Sequence, residues 1–490
     1  LRLLAKIFTP EEASLAAQAR AAPVSIVVEG MLMNTRAVVS GVVLLGGVTM
    51  TTCAYEPDLG KFPADEAEIP ARLENMRPGQ IRDAAARGAA CLLPIGVIEA
   101  EAPDLPLGIA AAWYDQAIEA MAGEKKAVIA PPIWFGPTGY ILSGPDQGTL
   151  HVPADACSRY FEETLITLGE LGFQKIQVVI LHDPQGADSA LRKAVDFATG
   201  DLFNNLWKQP DVGANWWIRP DRDTINWARY SVVDLPKPPK DAAPAAEAGG
   251  KIKLPLRLEN MTPSQLALAL KRGLPCYLPV GVLENHGNQN PVGCDAIEAT
   301  EPVLQAAGKV PCVVAPTIWY GPTANAVSGP RLGSTDINGQ VWHDYIRGVV
   351  AGLAAIGFRN VVIVQNHQGG GAQRTGIELA VAEYRNELWK RPDYGAGWGK
   401  KDASTLKAPK VHFIPPPDMP LDHAGRNETS WMLLYRPKHT RLDLIRPGDY
   451  PFCWEKNGES DKASLEWGRE MSGALVERWI KIMKSHVQPE

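Results

Sequence analysis

One spacing limits what this chain can fold into: a register of 185 residues that repeats along it. Arg72-Leu73-Glu74-Asn75-Met76 returns as Arg257-Leu258-Glu259-Asn260-Met261, and Leu93-Pro94-Ile95-Gly96-Val97 as Leu278-Pro279-Val280-Gly281-Val282. Ile133-Trp134-Phe135-Gly136-Pro137-Thr138 returns as Ile318-Trp319-Tyr320-Gly321-Pro322-Thr323, and Ser143-Gly144-Pro145 as Ser328-Gly329-Pro330. After a few residues of slippage, Leu206-Trp207-Lys208 matches Leu388-Trp389-Lys390. Chance does not hold one register across so many matches, so the chain carries one domain twice. The period is far too long for a solenoid unit, and each copy must bury a core of its own. The expected divisions are a first copy at 65–232, a linker at 233–252 and a second copy at 253–490. The linker is rich in Pro and Ala and contains Pro236-Lys237-Pro238-Pro239-Lys240, a composition that favours extended, poorly packed chain.

Composition narrows the function classes. With 45% hydrophobic and 21% charged residues, the 490-residue chain has the profile of a soluble globular protein of more than one domain. A net charge of −6 argues against a nucleic-acid partner, which favours a basic surface. Seven cysteines stand singly, with no Cys-x-x-Cys pair, so neither a zinc knuckle nor a disulfide scaffold is expected.

Residues 1–55 precede the first copy. In the stretch 33–53, Met33-Asn34-Thr35-Arg36, an apolar run from Ala37 to Val48 and Thr51-Thr52-Cys53 follow the order of a secretory signal. The run is short for a bilayer span. The expectation is an exported protein, periplasmic or extracellular, with Cys53 as a candidate lipid anchor behind a poor lipoprotein box. A short buried strand in a cytoplasmic protein is the competing reading.

Within each copy, short apolar runs alternate with longer amphipathic ones. In the second, Pro275 to Val280, Val313 to Ala315 and Asn360 to Val364 read as buried strands, while Asp295 to Ala307, Trp342 to Ile356 and Ala372 to Trp389 read as helices. Such alternation predicts an α/β fold, a mostly parallel sheet layered between helices in each copy. Ligands gather at the carboxyl ends of the strands in sheets of this kind.

Candidate chemistry falls at those ends. Glu284-Asn285-His286 follows the first strand of the second copy, Asp295 lies nine residues after His286, and His367 ends a strand and runs into Gly369-Gly370-Gly371. Asp422-His423-Ala424-Gly425-Arg426-Asn427-Glu428-Thr429-Ser430 comes later. Carboxylates mixed with imidazoles suit zinc, manganese or iron(II). A bridging carboxylate holds two ions at short separation, and Asp295 is the natural candidate. The triple glycine lacks the Lys-Ser/Thr of a phosphate loop. Trp319, matched by Trp134, reads as core, and the remaining histidines, His151 and His182 among them, show no partner pattern.

These motifs resemble the creatininase (creatinine amidohydrolase) family. Leu278-Pro279-Val280-Gly281 with Glu284-x-His286 and Asp295, the strand-terminal His367, and His423-x-Gly-x-x-Glu428-Thr429-Ser430 carry the likeness. It covers about 255–480, and more faintly 70–215. The resemblance implies two divalent metal ions sharing Asp295, zinc first and manganese or iron next. Glu284 and His367 would complete one ion; His286 and a further carboxylate would complete the other. A bridging hydroxide would attack an amide carbon of a small substrate, and His423 would carry the proton to the leaving nitrogen. It also implies hexamers built from dimers, hence three duplicated chains in a homo-oligomeric ring of six domains.

Departures from the family pattern reshape this picture. The glutamate expected two residues after the strand-terminal histidine is Gly369 here, so Glu428 is assigned as the missing ligand, with a role orienting His423 as its alternative. A tryptophan that packs on creatinine is absent, with Met419 near its place, so cleavage of some other cyclic or linear C–N amide bond is expected. In the first copy Glu99 stands for Glu284, but Glu101 stands for His286, Ala110 for Asp295 and, with slippage, Pro184 for His367. That copy is expected to be structural. A non-catalytic scaffold of two decayed copies is the competing function, favoured by Asn285, Asn288 and Gln289 around the Glu-x-His turn.

Overall fold

Apolar runs and amphipathic stretches become strands and helices in the expected order. In the first copy these are α1 (Pro78–Ala86), β1 (Ala90–Ile95), α2 (Ala111–Lys125), β2 (Val128–Ile129), α3 (Ala154–Glu170), β3 (Lys175–Ile180), α4 (Ala190–Phe203) and β4 (Arg229–Asp234). In the second they are β5 (Leu256–Arg257), α5 (Pro263–Lys271), β6 (Cys276–Val280), α6 (Cys294–Ala307), β7 (Val313–Val314), α7 (Gly339–Ala355), β8 (Asn360–Gln365), α8 (Ala372–Arg385), β9 (Lys410–Ile414), α9 (Arg426–Tyr435) and α10 (Leu465–His486). This computed structural model describes residues 71–103, 105–108, 111–181, 189–203, 229–235, 256–323, 329–367, 371–385, 410–414, 422–445 and 459–486. The signal-like segment, Cys53, most of the linker, Ala110, His182, Pro184 and Met419 lie outside them. No helix among the described residues is long and apolar enough to cross a membrane.

Both sheets are parallel and share one topology. Strand order is β2-β1-β3-β4 in the first and β5-β7-β6-β8-β9 in the second. Alternation along each buried strand feeds two cores. Cys276, Leu278, Val280, Val361 and Ile363 face an apolar cluster that runs into the first copy, while Tyr277, Val362 and Val364 face another that includes α6 and α10.

Strand register carries the same offset through both sheets. Ala90 pairs with Lys175 and Ile95 with Ile180; Cys276 pairs with Val361 and Val280 with Gln365. The offset of 185 therefore holds to the ends of β3 and β8, and two residues further stand His182 and His367. A parallel ladder cannot drop residues without breaking its hydrogen bonds, so the slippage falls beyond Ile180 and Gln365. The residues that would answer to His367 in the first copy lie outside the described ones.

The copies meet through contacts that are exchanged pairwise, as in a two-fold interface. Tyr160 donates its hydroxyl to Tyr320 O at 2.7 Å, and Tyr345 donates to Phe135 O at 3.1 Å. The two rings stack on each other with centroids 3.7 Å apart. Leu107 N donates to Met261 O and Gly108 N to Glu259 O; reciprocally, Val292 N donates to Met76 O and Gly293 N to Glu74 O. Every one of these partners is offset by 185 from its counterpart.

One contact inside each copy differs between them. Thr323 N is held by Asp336 Oδ1 at 2.9 Å, while in the first copy Thr138 N and Gly139 N both donate to His151 Nδ1, at 3.2 and 3.0 Å. A ring nitrogen that accepts two N–H groups is unprotonated.

Two measurements follow. Tyr345→Phe leaves the buried Phe135 carbonyl with only the weak, long contact from the Cys157 thiol and should lower the unfolding free energy by about 1–3 kcal/mol, read from chemical denaturation. Burial holds the His151 imidazole down at about 4, so the folded state favours its neutral form. Its contribution is complete above the ordinary imidazole value of about 6.5 and is lost as pH falls from there through 4. His151→Asn, which can accept the same N–H groups without titrating, should remove that acid-sensitive part of the stability curve; an unchanged curve would count against it.

Candidate metal centre

The site forms where β6 and β8 end. Gly281 follows β6, and a Cβ there would lie 2.4 Å from Ala296 Cα; only glycine lets the strand end press against the first turn of α6. That approach sets Glu284 beside Asp295. The loop between them is pinned at both ends: Glu284 N donates to Val292 O, and Val292 N and Gly293 N are held by carbonyls of the first copy. Asp295 lies in the first turn of α6 and Glu428 in the first turn of α9, where helix N-termini favour negative charge.

All six residues singled out in the sequence meet here. His367 Nδ1 lies 3.1 Å from Asp295 Oδ2 and 3.3 Å from Glu284 Oε2. His286 Nε2 lies 3.7 Å from Asp295 Oδ1 and 3.6 Å from Glu428 Oε2. Asp295 thus turns one oxygen to each imidazole. His423 Nδ1 stands 4.0 Å from Glu284 Oε2, and its ring lies against that of His286 at 4.3 Å. The side chains of His423 and Glu428 are 17% and 11% exposed, whereas the other four show 4% or less; solvent reaches the site from the His423 side.

Backbone carbonyls fix two tautomers. His286 Nδ1 lies 3.0 Å from Glu284 O, and His423 Nε2 lies 2.8 Å from Asn285 O. A carbonyl only accepts, so both nitrogens carry hydrogen. The neutral His286 ring then points its Nε2 lone pair at two carboxylate oxygens. Among the described residues, nothing hydrogen-bonds to that buried nitrogen, to Glu284 Oε1 or to His367 Nε2. A lone pair facing carboxylates in a buried pocket is repulsive unless a positive charge lies between them.

The electrostatics point the same way. Burial opposes charge on Asp295, yet His286 and His367 outweigh it and hold the carboxyl well below the usual range. Burial likewise opposes Glu284, which His367 and His423 keep below its ordinary value. At His286, burial is overcome by Glu428 and Asp295, which push the ring well above the ordinary imidazole value; at His367, Glu284 and Asp295 raise it to about 10. Burial drives Glu428 up, despite His286. These groups seek positive charge. A proton or a divalent cation can supply it, and an imidazole whose second nitrogen donates to a carbonyl is the usual form of a metal ligand.

Several residues near the centre were not singled out as ligands. Glu298 is buried one turn along α6 from Asp295 and accepts from Asn366 Nδ2 at 2.6 Å and from Cys294 Sγ at 3.4 Å; burial, then Asp295, raises its carboxyl to about 8. Its three-residue spacing from Asp295 was the available signal. Gln289 Nε2 donates to Ala424 O at 2.9 Å and Asn290 Nδ2 to Thr429 Oγ1 at 2.9 Å, while Asn285 Nδ2 donates to Leu332 O. The polar turn after Glu284 thereby ties the His286 segment to the His423 segment. Asp422 accepts from Asn427 N at 2.7 Å and caps α9. Trp319 packs, partly buried, against both apolar clusters. In the first copy Glu99 is buried and Glu101 half-buried.

Gln289→Ala combined with Asn290→Ala should therefore loosen the 423–429 segment, seen as faster amide exchange there with little change across the β6–β8 ladder. Uniform exchange in both segments would dismiss the tie.

The 3-dehydro-scyllo-inosose hydrolase of Thermotoga maritima is 29% identical over 225 residues, covering 45% of this chain and 70% of the relative. The creatinine amidohydrolase of Pseudomonas putida is 26% identical over 190 residues, covering 36% and 68%. Among solved structures, creatinine amidohydrolase (creatininase) aligns with a TM-score of 0.39 at 20% identity, over 48% of this chain and 99% of that one, and a manganese form of creatininase does so at 0.38. The sequence model of the creatininase family, described as creatinine amidohydrolase, matches residues 74–229 and 259–483. Matched over more than half its length, and in both copies, this chain belongs to the creatininase family.

Proposed function

We propose that the second copy is a divalent-metal hydrolase that opens a C–N amide bond at a carbonyl carbon of a small substrate. The observation that supports this reading is Asp295, whose two oxygens face His286 and His367 separately inside a buried acidic pocket. Glu284, Asp295 and His367 would hold one cation, and His286, Asp295 and Glu428 the other; zinc, manganese and iron(II) all suit these donors. A bound pair supplies Lewis acidity that polarises a carbonyl and acidifies water. The relatives are named for an inosose derivative and for creatinine; the two compounds have in common a small ring bearing carbonyl carbon, which favours a cyclic substrate here.

The chain's own residues account for the proton. Burial, then His286, holds the His423 ring down at about 4, so it is neutral at physiological pH. Its Nε2–H is committed to Asn285 O, which leaves the Nδ1 lone pair facing the site from the solvent side. Nδ1 takes a proton from the attacking water as the C–O bond forms. It returns that proton to the nitrogen as the C–N bond breaks, so one water is added and His423 ends as it began.

A purified full-length chain should bind two zinc or manganese ions. Asp295→Ala should abolish binding of both and Glu428→Ala of one. His423→Ala should keep both ions while losing about 10²–10⁴-fold in turnover of a cyclic amide. Wild-type protein that retains no metal would overturn the reading, as would a fully active His423→Ala variant. The exchanged contacts between the copies also support a three-chain ring in which each first copy takes a subunit's place. Sedimentation should then report three 53.1 kDa chains, and a single-chain mass would refute it.

A further inference from the structure

Immediately before Asp295 stands a donor that the reading above does not use. Cys294 is fully buried at the start of α6, and its Sγ, a His286 nitrogen and a Glu428 oxygen all lie within 4.8 Å of one another. We propose that Cys294 Sγ is a ligand of the cation held by His286 and Glu428. The inference rests on the two-cation reading of this site and adds a sulfur donor to it.

A buried cysteine is ordinarily just a small apolar residue, and Cys294 does pack in the cluster behind α6. What separates it from that role is the atom it shares a pocket with. His286 has its Nδ1–H committed to Glu284 O and leaves Nε2 buried, with no hydrogen-bond partner among the described residues, and facing the same group of donors. Sulfur, imidazole nitrogen and carboxylate oxygen then approach a common point from α6, the Glu-x-His turn and α9. As the S–metal bond forms the S–H bond breaks, the electron pair stays on sulfur and the proton passes to buffer. Glu298 Oε1, which accepts from Sγ at 3.4 Å, fixes the thiol's direction.

A thiolate changes which metal is held. Sulfur selects zinc or cobalt over manganese, whereas carboxylate and imidazole accept either. The two positions therefore differ: Glu284, Asp295 and His367 offer only oxygen and nitrogen, while the His286 position prefers a thiophilic ion.

The test uses full-length protein freed of metal and loaded with cobalt(II) alone. Wild type should show a near-ultraviolet thiolate-to-cobalt charge-transfer band beside the visible cobalt bands. Cys294→Ser should keep the visible bands, lose the near-ultraviolet one, and lose about 10–100-fold in zinc affinity at one of two positions. Should the variant not fold, X-ray absorption of the zinc-loaded wild type reads the same point, as a sulfur scatterer at about 2.3 Å. Visible bands without charge transfer, or a shell of nitrogen and oxygen only, would overturn the sulfur ligand and leave the two-cation reading standing. Failure to bind cobalt at all would overturn both.

Discussion

The carboxylate of Asp295, set between two imidazoles in a buried pocket, is the interaction on which the rest of the site depends. Its oxygens lie 3.7 Å from His286 Nε2 and 3.1 Å from His367 Nδ1. Neither imidazole comes from its own element, so holding one aspartate in place requires β6, β8 and α6 to be registered together. Gly281 permits the close approach of β6 and α6. The continuous parallel ladder between β6 and β8 then fixes His367 relative to Glu284. Buried negative charge of this density is tolerated only with compensating positive charge. The same demand that makes the site costly to fold without a partner makes it able to capture one.

A copy that lacks Asp295's counterpart still takes part in this. Carbonyls of Glu74 and Met76 hold Gly293 and Val292, the two residues leading into Cys294 and Asp295. Arg436, at the end of the helix that carries Glu428, donates to Asn75, and Arg77 donates to His439 O. The segment Arg72 to Met76 was the first of the duplicated motifs, and its repetition has this physical basis: each copy's segment splints the other's loop. That contact runs through backbone groups, so the first copy can keep its shape whatever side chains stand in place of His286 and Asp295.

Much of the second copy was legible because its signals are local. Buried strands such as Asn360–Gln365 announce themselves as β-branched runs, and α6 and α7 by apolar residues at helical spacing. Their ends shifted by a residue or a few, as expected where caps and not periodicity decide. The ligand candidates were legible only as a pattern, since Glu284, His286, Asp295, His367 and Glu428 are each unremarkable alone. One point was weighed differently for the same reason. Gln289, counted toward the competing scaffold reading, ties two segments of the site together.

From the sequence alone come the duplication, the alternation of strand and helix, and the identity of six side chains with metal-binding chemistry; all are properties of spacing and residue type along one dimension. Tertiary structure alone decides which nitrogen of each histidine faces the acids, which carboxyl oxygen each one meets, and that Cys294 and Glu298 share the pocket. Those depend on the angle at which helix, strand and turn converge, and on carbonyls such as Asn285 O that fix a ring from 138 residues away. Distances across a fold are not encoded in the spacing of the residues that make them.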